Sequence, residues 1–172
     1  MRVLTNILNS GLAALLFWGC VAQKPATFSE ASFASLPGCW QGTLNYSGTI
    51  IRKPYTTRAE LVVTSITNNN YQLVHKYPTG EIRYDTLFIS ANEERINGAP
   101  VVAKQHMSNQ NLELVTEAPG FDPDENKNVV VRQTYTINKE NYTYKKQIRL
   151  EGQTEWLERQ QFSYTRKDCS DK

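Results

Sequence analysis

The 172-residue chain is poor in the groups that most enzymes depend on, with two histidines and three cysteines. His75 and His106 lie far apart, without the neighbouring carboxylates or cysteines of a zinc site. No Gly-x-Ser-x-Gly elbow, phosphate-binding loop or dinucleotide fingerprint occurs, so no metal, cofactor or catalytic residue is expected. Charge of one sign is also missing. The 19 Lys and Arg stand against 17 Asp and Glu, and a formal charge of +2 exerts little pull on a polyphosphate, which excludes nucleic acid as an expected partner. No apolar run approaches the roughly 18 residues of a membrane-spanning helix. Gly- and Pro-rich tracts are absent, while Asn, Gln, Thr and nine Tyr are plentiful; an ordered, β-prone chain follows.

The first twenty residues read as an export signal: Arg2, an apolar run from Leu12 to Trp18, then Gly19-Cys20. Phe17-Trp18-Gly19-Cys20 resembles a bacterial lipobox, which implies a diacylglyceryl thioether on Cys20 at the new N-terminus. Ordinary cleavage after Ala22 is the alternative. The expected organisation is signal peptide 1–19, flexible tether 20–35, folded domain 36–169 and tail 170–172. Val21-Ala22 carries no acidic retention signal, so the expected location is the bacterial cell envelope, as an outer-membrane lipoprotein facing the periplasm. The membrane contact would be the N-terminal lipid. Removing Cys20 leaves Cys39 and Cys169, an even number in an oxidising compartment, at opposite ends of the domain. A bridge between them would close a loop of about 130 residues; two independent thiols are the alternative.

From Trp40 onward apolar residues recur with period two, broken by turn residues at Asn68-Asn69-Asn70, Pro78-Thr79-Gly80, Asn97-Gly98 and Glu151-Gly152. Strands are predicted at 40–50, 57–66, 70–77, 82–90, 100–107, 111–117, 128–138, 142–150 and 156–166, about nine or ten in all, with a bulge near Thr86 where the apolar parity changes. Residues 118–127, acidic and rich in breakers, are predicted to form an exposed loop. The fold class is therefore all-β. An antiparallel meander of this length closes into a single β-barrel, because closure removes both unpaired edges.

The barrel should be hollow. Gln133, Lys146, Glu158 and Gln160 share parity with the apolar residues of their strands, and a dry core would not tolerate them unpaired. With Tyr135 and Tyr144 they come from three successive strands and could converge on one wall. His75 falls on the inward parity with Tyr71, Leu73 and Tyr77, either as a hydrogen-bonded interior histidine or as a ligand or metal contact.

Gly38-Cys39-Trp40 in the opening strand and Arg166 in the closing one resemble the calycins, the lipocalin and fatty-acid-binding superfamily. That resemblance implies a basic residue packed on the Trp ring at one barrel end, a contact of roughly 1 to 2 kcal/mol when desolvated. The Trp40 to Leu44 segment is also similar to the Trp-x-Gly-Thr-Leu start of lipocalin-like lipoproteins of Gram-negative bacteria. The helix-pair lid of fatty-acid-binding proteins has no room between Ile50 and the next strand. Trp40-Gln41-Gly42 resembles the start of nitrobindin-like haem barrels as well, whose iron ligand is a late histidine; no histidine follows His106, so haem is not expected.

Asp122-x-Asp124-x-Asn126 imitates the start of a calcium loop, but Lys127 stands where Gly is needed. Asn45-Tyr46-Ser47 and Asn141-Tyr142-Thr143 match glycosylation sequons without meaning in a bacterial lipoprotein. The leading functional expectation is a lipid-anchored barrel that binds a small hydrophobic or amphiphilic molecule. The alternatives are an envelope interaction module without ligand, and an enzyme on a calycin barrel.

Overall fold

A computed structural model describes residues 31–48, 53–90, 94–107 and 112–170. The export signal, Cys20 and most of the tether lie outside the described residues, as do the last two residues of the tail. Among the described residues ten antiparallel strands follow one short helix, α1 (Ala31–Ala34): β1 (Gly38–Tyr46), β2 (Tyr55–Thr67), β3 (Asn70–Lys76), β4 (Ile82–Phe88), β5 (Arg95–Ile96), β6 (Ala99–His106), β7 (Leu112–Asp122), β8 (Lys127–Ile137), β9 (Asn141–Leu150) and β10 (Leu157–Lys167). Their order in the sheet is β4-β3-β2-β1-β10-β9-β8-β7-β6-β5. The meander thus closes where its first strand meets its last, with Trp40 opposite Arg166. The two-residue β5 has no counterpart in the period-two pattern, which a strand that short cannot display.

A seam remains between β4 and β5–β6, and Asn97 stitches one end of it. Its Nδ2 donates to the Thr86 carbonyl at 3.0 Å, and its Oδ1 accepts the Phe88 N–H at 2.7 Å. Asn97 (φ 49°) and Gly98 (φ 81°) form the left-handed turn that joins β5 to β6. Ile89 bridges Ile96 beside it.

Two plugs close the barrel ends. At the first, Trp40 is fully buried and donates Nε1–H to the Leu36 carbonyl at 3.0 Å. The Arg166 guanidinium lies 4.0 Å from the Trp40 ring centroid and donates to the carbonyls of Lys139 (2.6 Å), Pro37 (3.1 Å) and Ser35. This contact explains Gly38: its φ is 137°, and a Cβ there would collide with the Arg166 guanidinium. A Cβ at Gly42 would meet the Ser163 carbonyl of the adjoining strand, so both glycines around Trp40 answer to β10. Outside this plug Cys39 and Cys169 form a disulfide with Cα atoms 5.2 Å apart. Because Cys39 pairs with Lys167, the chain must turn back after β10. It does so at Asp168, whose carboxylate accepts the Ser170 N–H at 3.2 Å.

Four details differ from the sequence expectations. Residues 31–36, expected partly as tether, carry α1 and the turn after it, in which the Leu36 N–H donates to the Phe33 carbonyl at 2.9 Å and both side chains are buried over the first plug. The register of β4 on β3 runs unbroken from Phe88 to Ile82, with no bulge at Thr86. Instead Arg83, Asp85 and Leu87 share the inner face, while Ile82, Tyr84 and Phe88 point outward at 50%, 67% and 47% exposure. A strand bordering a seam and a polar cavity needs no apolar inner face.

The expected loop 118–127 is mostly strand. β7 and β8 extend to Asp122 and Lys127 and leave only a four-residue turn, 123–126. Its acidic residues face inward, to a partner supplied by the fourth difference, a bulge between Glu158 and Gln160. The extra residue turns Arg159 into the barrel, where Nε donates to Asp122 Oδ2 at 2.9 Å and Nη2 to Glu125 Oε1 at 2.8 Å. All three side chains are at most 10% exposed. Asp124 accepts from the Tyr46 hydroxyl at 2.7 Å. These contacts form the second plug.

Candidate functional site

Between the plugs lies a cavity of about 390 Å³. Its wall on β8, β9 and β10 is a cross-strand row, Gln133 opposite Lys146 and Lys146 opposite Gln160. Glu158 is not part of it. The β10 bulge pairs Glu158 with Gln147, on the outer face, where its carboxylate meets the Ser47 hydroxyl at 3.5 Å. Lys146 and Glu158 therefore lie on opposite faces of the sheet and do not pair.

Within the row the side chains have unequal freedom. Gln133 is committed: its Oε1 accepts from the Tyr135 hydroxyl and its Nε2 donates to the Tyr144 hydroxyl, both at 3.0 Å. Thr116, buried beside it, reaches the same Oε1 at 3.5 Å. Burial pushes Tyr135 well above the usual phenol range and Tyr144 up to about 12, hydrogen bonding by Gln133 and Gln160 pulling Tyr144 the other way. The tyrosines stay neutral and act as hydrogen-bonding walls. Lys146 is half-buried and has no hydrogen bond or ion pair among the described residues. Phe162 and Tyr164 stack beside the row, centroids 5.7 Å apart, and give the cavity an aromatic side.

The opposite wall comes from β3 and β4. His75 is 6% exposed, with Nδ1 at 3.0 Å from the Tyr164 hydroxyl and Nε2 at 3.6 Å from Asp85. Burial holds its pKa below the usual imidazole range, with Asp85 opposing and Arg83 reinforcing the shift. The neutral ring then has one consistent tautomer: Nε2–H faces the carboxylate, and Nδ1 accepts from Tyr164. Burial also drives the Tyr164 hydroxyl far up, so Tyr164 donates a hydrogen bond and does not ionise as a nucleophile. His75 is thus a buried histidine hydrogen-bonded through Nδ1, and its ring also borders the cavity.

Arg83 and Asp85 also border the cavity, at its mouth near Thr86 and Asn97. The sequence reading missed them because the apolar residues of β4 mark its outer face. The register against β3 carries the signal: His75 pairs with Arg83 and Leu73 with Asp85.

No protein-family model matches the chain, and no curated protein matches it. Among solved structures it is similar to Rv2717c from M. tuberculosis, with 16% identity and a TM-score of 0.54 over 80% of this chain and 96% of that one. At that identity the likeness shows the barrel fold.

Proposed function

We propose that this protein is a lipid-anchored envelope barrel that takes up one compact amphiphilic molecule in the cavity between its two plugs. The observation that carries this reading is the half-buried, unpaired Lys146 set against the Phe162 and Tyr164 rings in a space of about 390 Å³. That volume lies at the lower end of the roughly 300–1,000 Å³ range of small-molecule sites. It suits a small ring system or short chain with one polar end. The calycin-like character of the barrel is supported by the Gly38-x-Trp40 opening and the Arg166 stack on Trp40.

Titration with the neutral fluorophore N-phenyl-1-naphthylamine tests the cavity directly. Saturable one-to-one binding at micromolar strength, about 8 kcal/mol, is expected. Gln160→Phe fills the space from its polar wall and should weaken that binding at least ~10-fold. A wild-type barrel that leaves the probe unbound, with nothing co-purifying in native mass spectrometry of protein from its host, would remove the carrier reading.

The anchor is supported by Gly19-Cys20 and by the pairing of the other two cysteines with each other. Mass spectrometry of the mature N-terminus should show a diacylglyceryl Cys20, and Cys20→Ser should release the protein from membranes. A mature chain beginning at Gln23 contradicts it.

A second reading, an interaction module, is favoured by β4, where Ile82, Tyr84 and Phe88 are exposed along a strand with one hydrogen-bonded neighbour strand among the described residues. Residues 118–127, predicted as an exposed loop, direct their Asp122 and Glu125 carboxylates onto Arg159 and add little to such a surface.

A further inference from the structure

We propose that Arg83 and Lys146 together seat an acidic head group, so that the barrel selects compact monoanionic amphiphiles, carboxylates or sulfonates, over neutral molecules of the same shape. The inference rests on the small-molecule reading and adds the charge class of the ligand, with Arg83 as a second recognition residue.

The topology sets the two cations on facing walls. From β4 to β9 the sheet order runs β4-β3-β2-β1-β10-β9, half of a ten-stranded circuit, and both side chains border the same cavity. Neither has an ion pair or a side-chain hydrogen bond among the described residues. The carboxylate among the residues bordering the cavity, Asp85, lies 3.6 Å from His75 Nε2. With Asp85 engaged by the imidazole and His75 neutral, two cations face one carboxylate, and the space keeps a net positive charge.

A half-buried ammonium without a counter-ion carries a desolvation cost that an anion entering the cavity offsets. The same anion meets the amide of Gln160, the cross-strand neighbour of Lys146. A neutral ligand of equal size leaves both cations as they are and gains only the aromatic contact with Phe162.

Two fluorophores of the same skeleton separate charge from shape. N-Phenyl-1-naphthylamine is neutral, and 8-anilino-1-naphthalenesulfonate is that molecule with one sulfonate. Wild-type protein at pH 7 is expected to bind the sulfonate at least ~10-fold more tightly. Arg83→Gln and Lys146→Met should each weaken the sulfonate about 10-fold and abolish most of its preference over the neutral probe, which continues to bind. Retained binding of the neutral probe also reports that each variant is folded. Lys53→Met, an exposed position away from the cavity, should alter neither. Equal binding of both probes by wild type, or a sulfonate preference that survives both cavity substitutions, overturns the anion seat and leaves the small-molecule reading standing. Binding of neither probe, with nothing co-purifying in native mass spectrometry, overturns both.

Discussion

Replacing Arg159 by Met is expected to destabilise the barrel by about 3–5 kcal/mol at neutral pH, the range for removing one member of a buried ion cluster. Arg159 is the cation of the second plug, and Asp122 and Glu125 would remain buried side by side without it. The lost packing of the Arg stem is largely replaced by Met, so the effect reads the stranded carboxylates. At about 2–4 °C per kcal/mol for a domain of this size, the thermal midpoint should fall by roughly 10 °C. The triple variant that adds Asp122→Asn and Glu125→Gln should recover most of the loss, because replacing a buried charge cluster as a whole is often close to neutral. Urea denaturation followed by tryptophan fluorescence measures both. A single variant within ~1 kcal/mol of wild type would show that the plug is solvated and that Arg159 does not hold the turn between β7 and β8.

Loss of the disulfide is expected to act on the same scale by a different route. Cys39 and Cys169 are separated by 130 positions, and the chain-entropy model gives on the order of 5 kcal/mol for a loop of that length before any strain is subtracted. The link lies on the barrel surface beside the Trp40 and Arg166 plug, where β1 and β10 already pair in register from Cys39↔Lys167 to Tyr46↔Gln160. Removing it therefore takes little from the folded state and restores freedom to the unfolded one. The variant Cys39→Ala with Cys169→Ala should lose roughly 2–5 kcal/mol while keeping the native circular dichroism of the barrel. Reducing agent should shift the urea midpoint of wild type to that of the variant and leave the variant unmoved. Two titratable thiols in unreduced, denatured protein would show instead that the bridge does not form.

The two plugs contrast in how far they can be read without a structure. Trp40 and Arg166 sit on strands whose alternation is regular, so the parity that places Trp40 inward also places Arg166 beside it once β1 meets β10. The disulfide follows from the same register and from an even cysteine count. In the second plug the parity breaks. Arg159 stands in the outward series of β10, and only the bulge between Glu158 and Gln160 turns it inward and sends Glu158 out. A bulge is one unpaired residue, and nothing in a single strand announces it. The acidic stretch after Phe121 is informative only afterwards, as two carboxylates that require a buried cation.

The cavity divides similarly. Gln133, Lys146 and Gln160 are adjacent in the row that period-two reading predicts, because three consecutive antiparallel strands preserve parity across short turns. Arg83 and Asp85 escape that reading. Alternation tells which residues of a strand share a face, and an apolar face is ordinarily taken as the inner one; β4 reverses the rule because it borders the seam and a polar space.

The sequence by itself determined the all-β class, the antiparallel meander, the turns and the mixed polar and aromatic character of the barrel interior, since each depends on contacts between near neighbours in the chain. Tertiary structure alone decided where the seam lies, which charges are buried and which polar groups keep a free hydrogen-bonding position. Those outcomes depend on distant strands meeting: Asp122 with Arg159, His75 with Tyr164, and Arg83 across the cavity from Lys146. Burial and pairing belong to the closed barrel, and no single strand contains them.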